Sequence, residues 1–328
     1  MIERRYAEFA WEKTETLLSI DSPSGYTDRA ASWVKENFEK LGFTANITAK
    51  GGVLVDLGGK DENDGLLLEA HADTLGGMNP NNGEAENVWV YTRGGKVLDG
   101  TFQLCNASVH VNGDYSSAKR SFDTMEVVLD EDVSSAADTR ELGVEVGDIV
   151  CFEPRTRRTA SGYLKSRFLD DKLSVGILLG FAKYLSENSI TPKRRTWVYV
   201  TVYEEVGHGG SASVPTGITE AISVDMGCVG AGLQCTEKQV SICAKDSGGP
   251  YSYEVVGKLI DAAKKTGADY AVDVYPYYGS DVEATLRSGV DIRHGLIGAG
   301  VYASHGYERS HMDGVYNTLK VLAGYLEV

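Results

Sequence analysis

Apolar positions along the chain follow helical spacing first and strand spacing afterwards. From Asp28 to Leu41 they fall at Ala30, Ala31, Trp33, Val34, Phe38 and Leu41, one broad face of an α-helix. Pro23-Ser24-Gly25 just ahead is turn chemistry, Thr27 or Asp28 is suited to cap the helix, and Gly42, free to take positive φ, ends it. The first 60 residues read helix, helix, strand. Short apolar runs follow at Val53 to Leu57 and at Leu66-Leu67-Leu68, and the second leads straight into Glu69-Ala70-His71-Ala72-Asp73. From about Leu75 to Lys165 the character changes to Gly, Asn, Asp and Ser with alternating Val or Thr. Val88 to Tyr91, Met125 to Leu129 and Gly143 to Phe152 predict strands of a small β-rich module there. Alternation then resumes with an apolar helix from Leu173 to Leu185 and a central strand, covered on both faces, from Thr196 to Val202. Ala221 to Val224 predicts another strand, and Tyr253 to Lys265 an amphipathic helix.

This order predicts an α/β fold: a mixed, mostly parallel sheet flanked by helices, with an inserted small β-rich domain. The expected divisions are residues 1–74 for the first part of a catalytic domain, 75–165 for the insertion and 166–328 for the second part.

Composition narrows the function classes. A net charge of −15, from 47 acidic and 32 basic side chains, argues against a polyphosphate partner, which requires clustered Lys and Arg, so no nucleic acid is expected. No run of about 18 apolar residues predicts a membrane span. The opening segment IERRYAEFAWEKTETLL lacks the apolar core of a signal peptide, and the five cysteines show no metal-type CxxC pair. Reduced thiols and a cytoplasmic location are the expectation.

Polar clusters stand at or just past the carboxyl ends of predicted strands: His71-Ala72-Asp73, Asp170-Asp171, Glu204-Glu205 and Asp225, with His305-Gly306-Tyr307-Glu308 after an apolar Gly-rich run. Open α/β sheets bind ligands at those ends. Two histidines and three carboxylates suit a pair of divalent cations, zinc first, with cobalt or manganese also accepted. Singly, each cluster has an ordinary explanation: His-x-Asp as a surface pair, Asp170-Asp171 as a helix cap and first-turn acid. Glu204-Glu205 is harder to dismiss, because two carboxylates at a buried strand end are costly unless a cation is near.

The motifs resemble the tetrahedral-aminopeptidase family, which includes glutamyl and deblocking aminopeptidases and belongs to the clan of two-zinc exopeptidases. The resemblance runs through Ser22-Pro23-Ser24-Gly25-Tyr26, Glu141-Leu142-Gly143-Val144 with Gly147-Asp148, Leu169-Asp170-Asp171-Lys172, Glu204-Glu205-Val206-Gly207 and Gly279-Ser280-Asp281. It implies that Asp170 bridges two metals, that His71 and Asp225 complete one site and Glu205 and His305 the other. It further implies Glu204 as general base and Asp73 as the acid that holds the His71 ring in the correct tautomer. Thr74 and Ser174 depart from the family's Glu and Gly, and Glu308 follows the last histidine by three residues instead of four. His305 is preferred to His311 as final ligand, because it closely follows the strand and turn predicted from Gly295 to Tyr302.

The expected activity is hydrolysis of the N-terminal peptide bond of short peptides by a metal-activated water, and the resemblance implies a homo-oligomer between dimer and dodecamer. Two alternatives stand beside it: a two-metal deacylase of small acylated amino acids, and a non-catalytic metal-binding protein. Structural zinc sites fill all four positions and favour cysteine, so an oxygen-rich set with a spare Glu argues for catalysis. A glycosidase is disfavoured because adjacent Glu204 and Glu205 do not straddle a glycosidic bond.

Overall fold

The computed structural model describes residues 2–78 and 84–328. They form two compact units, one made of the chain up to Thr74 together with Arg155–Val328, the other of Leu75–Pro154. In the larger unit, twelve strands among the described residues share one mixed sheet. At its centre four neighbours run parallel, in the order Arg194–Thr201, Asp61–His71, Ile218–Val224 and Arg293–Tyr302. Val53–Gly58 pairs antiparallel outside Arg194–Thr201, and Thr44–Ile47 extends that edge. The central strands are buried along nearly their whole length, which is why they read as continuous apolar runs.

The helix Leu169–Glu187 is the most enclosed element, buried from Leu169 through Ala182. It packs on the helices Arg5–Leu18 and Met312–Tyr325 and on the strand Asp61–His71. Close approach to the first of these requires glycine. A Cβ on Gly176 would stand 2.6 Å from Ala10 O, and one on Gly180 would stand 2.7 Å from Tyr6 O. The predicted helix near residue 28 spans Asp28–Lys40 and buries Ala30, Ala31, Val34 and Phe38, while Thr27 occupies the N-cap without a side-chain cap bond. No helix of the described residues is long and apolar enough to cross a membrane.

The smaller unit is a four-stranded antiparallel sheet, with Val97–Leu104 and Glu86–Tyr91 in the middle and Met125–Leu129 and Ile149–Phe152 at the edges. It also holds a short helix, Ala136–Leu142, that the alternating pattern does not announce; Ser135 Oγ accepts from Asp138 N and Gly143 adopts the left-handed cap. The sequence reading carries the insertion through residue 165, whereas the unit ends at Pro154. Arg157–Arg158 and Tyr163–Ser166 instead hydrogen-bond into the large sheet, Tyr163–Ser166 against Glu308–His311. Their alternation of Arg, Thr, Tyr and Lys resembles that of the insertion, so composition cannot mark the boundary.

Since the glycine contacts seat the helix that begins at Leu169, Gly176→Val should overpack this junction. The expected loss is about 1–3 kcal/mol of unfolding free energy, read as a lower urea midpoint with an unchanged slope.

Candidate active site

Strand register brings the polar clusters to one end of the sheet. His71 pairs with Thr201, so Glu204 and Glu205 emerge three and four residues beyond the neighbouring strand end. Ser223 pairs with Glu69, which sets Asp225 level with His71 on the other side. His305 lies three residues past the strand Arg293–Tyr302, and Asp170 opens the helix Leu169–Glu187. Glu204 and Glu205 occupy a short 3₁₀ turn, Glu204–Val206, just past the strand, where the sequence reading puts them. Three residues that set these turns hold left-handed backbone without being glycine: Phe168 at φ +70°, Tyr203 at +69° and His305 at +65°. Such conformations cost about 1–3 kcal/mol each and cluster where a side chain must be aimed.

Asp170 is the centre of the arrangement. Its Oδ1 lies 3.2 Å from His71 Nε2 and its Oδ2 lies 3.4 Å from His305 Nε2. His305 Nε2 also lies 3.4 Å from Glu205 Oε2. On the other side, His71, Asp170 and Asp225 each offer a ligand atom, all within 4.8 Å of one another. Glu204 Oε2 stands 3.7 Å from His71 Nε2. All seven residues singled out in the sequence therefore lie in or beside one cluster. His311 does not: its Nε2 faces Ser161 O at 2.9 Å and its Nδ1 accepts from Asp313 N, capping the helix Met312–Tyr325.

Both sequence and shape place this arrangement among known proteins. The M42 glutamyl aminopeptidase family matches residues 69–321. The protein YhfE of Bacillus subtilis (strain 168), a candidate aminopeptidase by name, is 39% identical over 334 residues, covering 96% of each chain. The chain belongs to the M42 glutamyl aminopeptidase family. Its fold matches that of an aminopeptidase from the archaeon Desulfurococcus kamchatkensis, with TM-score 0.85, 20% identity and coverage of 98% of this chain and 95% of that one. The Pyrococcus horikoshii TET1 peptidase matches with TM-score 0.82 and 22% identity, over 96% of this chain and 98% of that one.

The supporting shell of this M42 protein contains residues that sequence reading assigns differently or misses. His71 Nδ1 lies 3.0 Å from the backbone carbonyl of Asp73, while the Asp73 carboxylate is 3.7 Å away. That carboxylate instead accepts from Ser24 Oγ at 2.5 Å and from Glu204 N at 3.1 Å. Asp73 thus orients the histidine with its main chain and the Glu204 turn with its side chain. Buried Glu308 ties two ligand loops together, one oxygen accepting Asp170 N at 3.0 Å and the other His305 N at 2.9 Å. Lys50 Nζ donates to Gly209 O at 2.7 Å and to Ser211 Oγ at 3.2 Å, holding the loop after the Glu204 turn. Asp281 packs under the same loop and accepts from Thr201 Oγ1. Lys50 carries no motif in the sequence; Asp281 is visible only as part of Gly279-Ser280-Asp281.

The donor set fits divalent cations. Two imidazoles and several carboxylates are the ligands that zinc, cobalt and manganese share. Asp171 Oδ1 is buried with no hydrogen-bond partner among the described residues, and its other oxygen accepts His71 N at 3.3 Å. Burial, then repulsion from Asp170, pushes Asp225 up to about 7 and Glu205 up to about 8. Burial, then the Asp225 charge, holds Asp171 well above the usual carboxylate range. Glu204 is raised by burial above all. His305 is raised to about 9, first by its hydrogen bond to Asp170. Asp170 itself is held low by both histidines, although burial opposes them. A nearby cation relieves the crowding of these acids.

The sign of the consequence is fixed. Asp225, Glu205 and His305 all have folded-state pKa values above their unfolded ones, so their stabilisation is complete at low pH and lost as pH rises through about 7 to 9. Chelator-treated protein should therefore melt at progressively lower temperature between about pH 5 and about pH 9. Saturating zinc or cobalt should flatten that slope, as differential scanning fluorimetry across the pH range will show.

Proposed function

We propose that this M42 protein is a dinuclear metal-dependent aminopeptidase that removes the N-terminal residue of short peptides. The observation that supports it most is Asp170, whose two oxygens each face a different histidine, each histidine having a further carboxylate within reach. In this reading His71 and Asp225 would hold one cation and Glu205 and His305 the other, with Asp170 serving both. The bound pair would supply Lewis acidity to a water and to the scissile carbonyl.

The chain's own groups do the rest. Glu204 takes the proton of the attacking water on its carboxylate and later passes it to the leaving amine. Its backbone N–H is held by Asp73, so its carboxylate is aimed from a fixed turn. Burial raises its affinity for a proton, which suits it to take one from the water. The free α-amino group of the substrate is bound beside the same carboxylates, which makes the enzyme an exopeptidase. By likeness to the Pyrococcus TET1 peptidase, which can assemble into a tetrahedron or a large octahedral shell, we also read the chain as a homo-oligomer. The unit Leu75–Pro154, with Val111, Phe122 and Val146 strongly exposed, is the proposed assembly module.

Glu204→Gln should retain both metals by elemental analysis and lose about 10² to 10⁴ in kcat on leucyl anilide. Metal loss in Glu204→Gln together with retention in Glu205→Gln would show that the two roles are exchanged. N-acetylleucine should not be cleaved; its hydrolysis would favour the deacylase reading instead.

The histidines give a second, independent check. His305→Ala should lose about one metal per chain after dialysis and most activity, since its imidazole is one of few donors to that cation. His311→Ala should keep its metals and instead lower thermal stability by loss of a helix cap, about 0.5–2 kcal/mol.

A further inference from the structure

Against the candidate ligands lies a cavity of about 380 Å³. Apart from the proposed metal-binding and base residues, its walls are Met226, Cys228, Tyr277, Tyr278 and Ser304, with two glycines. Among the described residues no lysine or arginine lines it. Its carboxylates are the proposed ligands and the proposed base.

One wall is rigid. Met226 follows the candidate ligand Asp225 and is pinned at both ends of its peptide frame: its N–H donates to Asp225 Oδ1 at 2.6 Å and its carbonyl accepts from Tyr278 Oη at 3.1 Å. Tyr278 rests against Tyr275, with ring centroids 5.1 Å apart, and Tyr275 in turn is hydrogen-bonded to Ser241. Cys228 sits in the short strand Gly227–Val229, fixed by pairing with Val301 of the Arg293–Tyr302 strand. Burial pushes its thiol up, so it is a neutral wall group and not a thiolate. A thioether, a protonated thiol and phenol rings form a surface that suits an apolar side chain.

We infer that this cavity receives the side chain of the substrate's N-terminal residue and selects an uncharged apolar one, of the leucine or methionine class, against glutamate and lysine. The inference rests on the aminopeptidase reading above and departs from the family's glutamyl description. With the bordering carboxylates engaged by the cations and the base, a glutamyl side chain would find no ammonium or guanidinium there to pair with. An unpaired buried charge of that kind is strongly disfavoured. A lysyl side chain would meet no acid free of the metal centre. Met226, held in one place by its two backbone bonds, is assigned as the residue that sets the depth of the cavity.

The test is a panel of leucyl, methionyl, glutamyl and lysyl anilides with the full-length, metal-loaded protein. Leucyl and methionyl kcat/KM should exceed the glutamyl and lysyl values by about tenfold or more. A glutamyl or lysyl substrate ranking first overturns the inference while leaving the aminopeptidase reading intact. No turnover of any member, with two metals bound, overturns that reading and this inference together. Met226→Ala should raise the phenylalanyl-to-leucyl ratio of kcat/KM several-fold, mainly through KM and with metal content unchanged, and Met226→Leu should restore it. An unchanged ratio in folded, metal-loaded Met226→Ala removes Met226 from its assigned role. The wild-type panel decides the charge preference even if that variant fails to fold.

Discussion

The larger unit is organised around a charge problem. Asp170, Asp171, Asp225 and Glu205 are buried together at the carboxyl end of a parallel sheet, with His71 wedged among them. Removing several carboxylates from water at such short range is strongly unfavourable unless protons or cations neutralise them. The structure accommodates this by supplying the acids from three different elements, Asp170 and Asp171 together from one of them. Strand ends supply His71 and Asp225, a 3₁₀ turn supplies Glu205, and the start of the most enclosed helix supplies Asp170. Everything beneath the cluster serves to keep those four anchor points in register.

Backbone donors carry much of that load. Glu308 accepts the N–H groups of Asp170 and His305, Asp73 accepts that of Glu204, and Asp171 accepts that of His71. Three of these bonds, to Glu308 from Asp170, to Asp73 from Glu204 and to Asp171 from His71, join different segments of the site, so the segments are cross-linked through their backbones. The left-handed residues Phe168, Tyr203 and His305 sit at the points where the chain must bend sharply into these bonds. Charge-assisted bonds to buried carboxylates are worth about 1.5–3 kcal/mol each, comparable with the strain of each bend. Local strain and inter-segment bonding thus offset one another, and the offset leaves the side chains aimed.

How much of this was legible in the sequence follows from the range of each interaction. His71, Asp170, Glu204, Glu205, Asp225 and His305 stand next to apolar strand or helix signals, so their place at the ends of elements can be read locally. The parallel core and the β-rich insertion show for the same reason: both have their own periodicity. Whether Asp73 reaches His71 with its side chain or its carbonyl depends on a rotation about one residue, which no pattern encodes. Lys50 lies far along the chain from the loop it grips, and Tyr163–Ser166 pairs with Glu308–His311 near the C-terminus. Those partners are decided by tertiary register alone, and a single sequence holds no record of it.

The same distinction bears on what a family description transfers. Ligand geometry is imposed by the charge problem, and any chain that keeps the sheet and the buried acids must solve it in nearly the same way. The wall beyond the ligands is under no such constraint. Met226 and Cys228 belong to the strand segment immediately after Asp225, and their backbones are held by bonds that do not depend on side-chain identity. Substitution there changes the chemistry presented to a substrate without disturbing the metal-binding frame. In the proposed reading, catalytic class would be carried by the residues at the strand ends and substrate preference by the residues one to three positions beyond Asp225. Only the latter, read in this chain itself, bear on whether a glutamyl side chain is accepted.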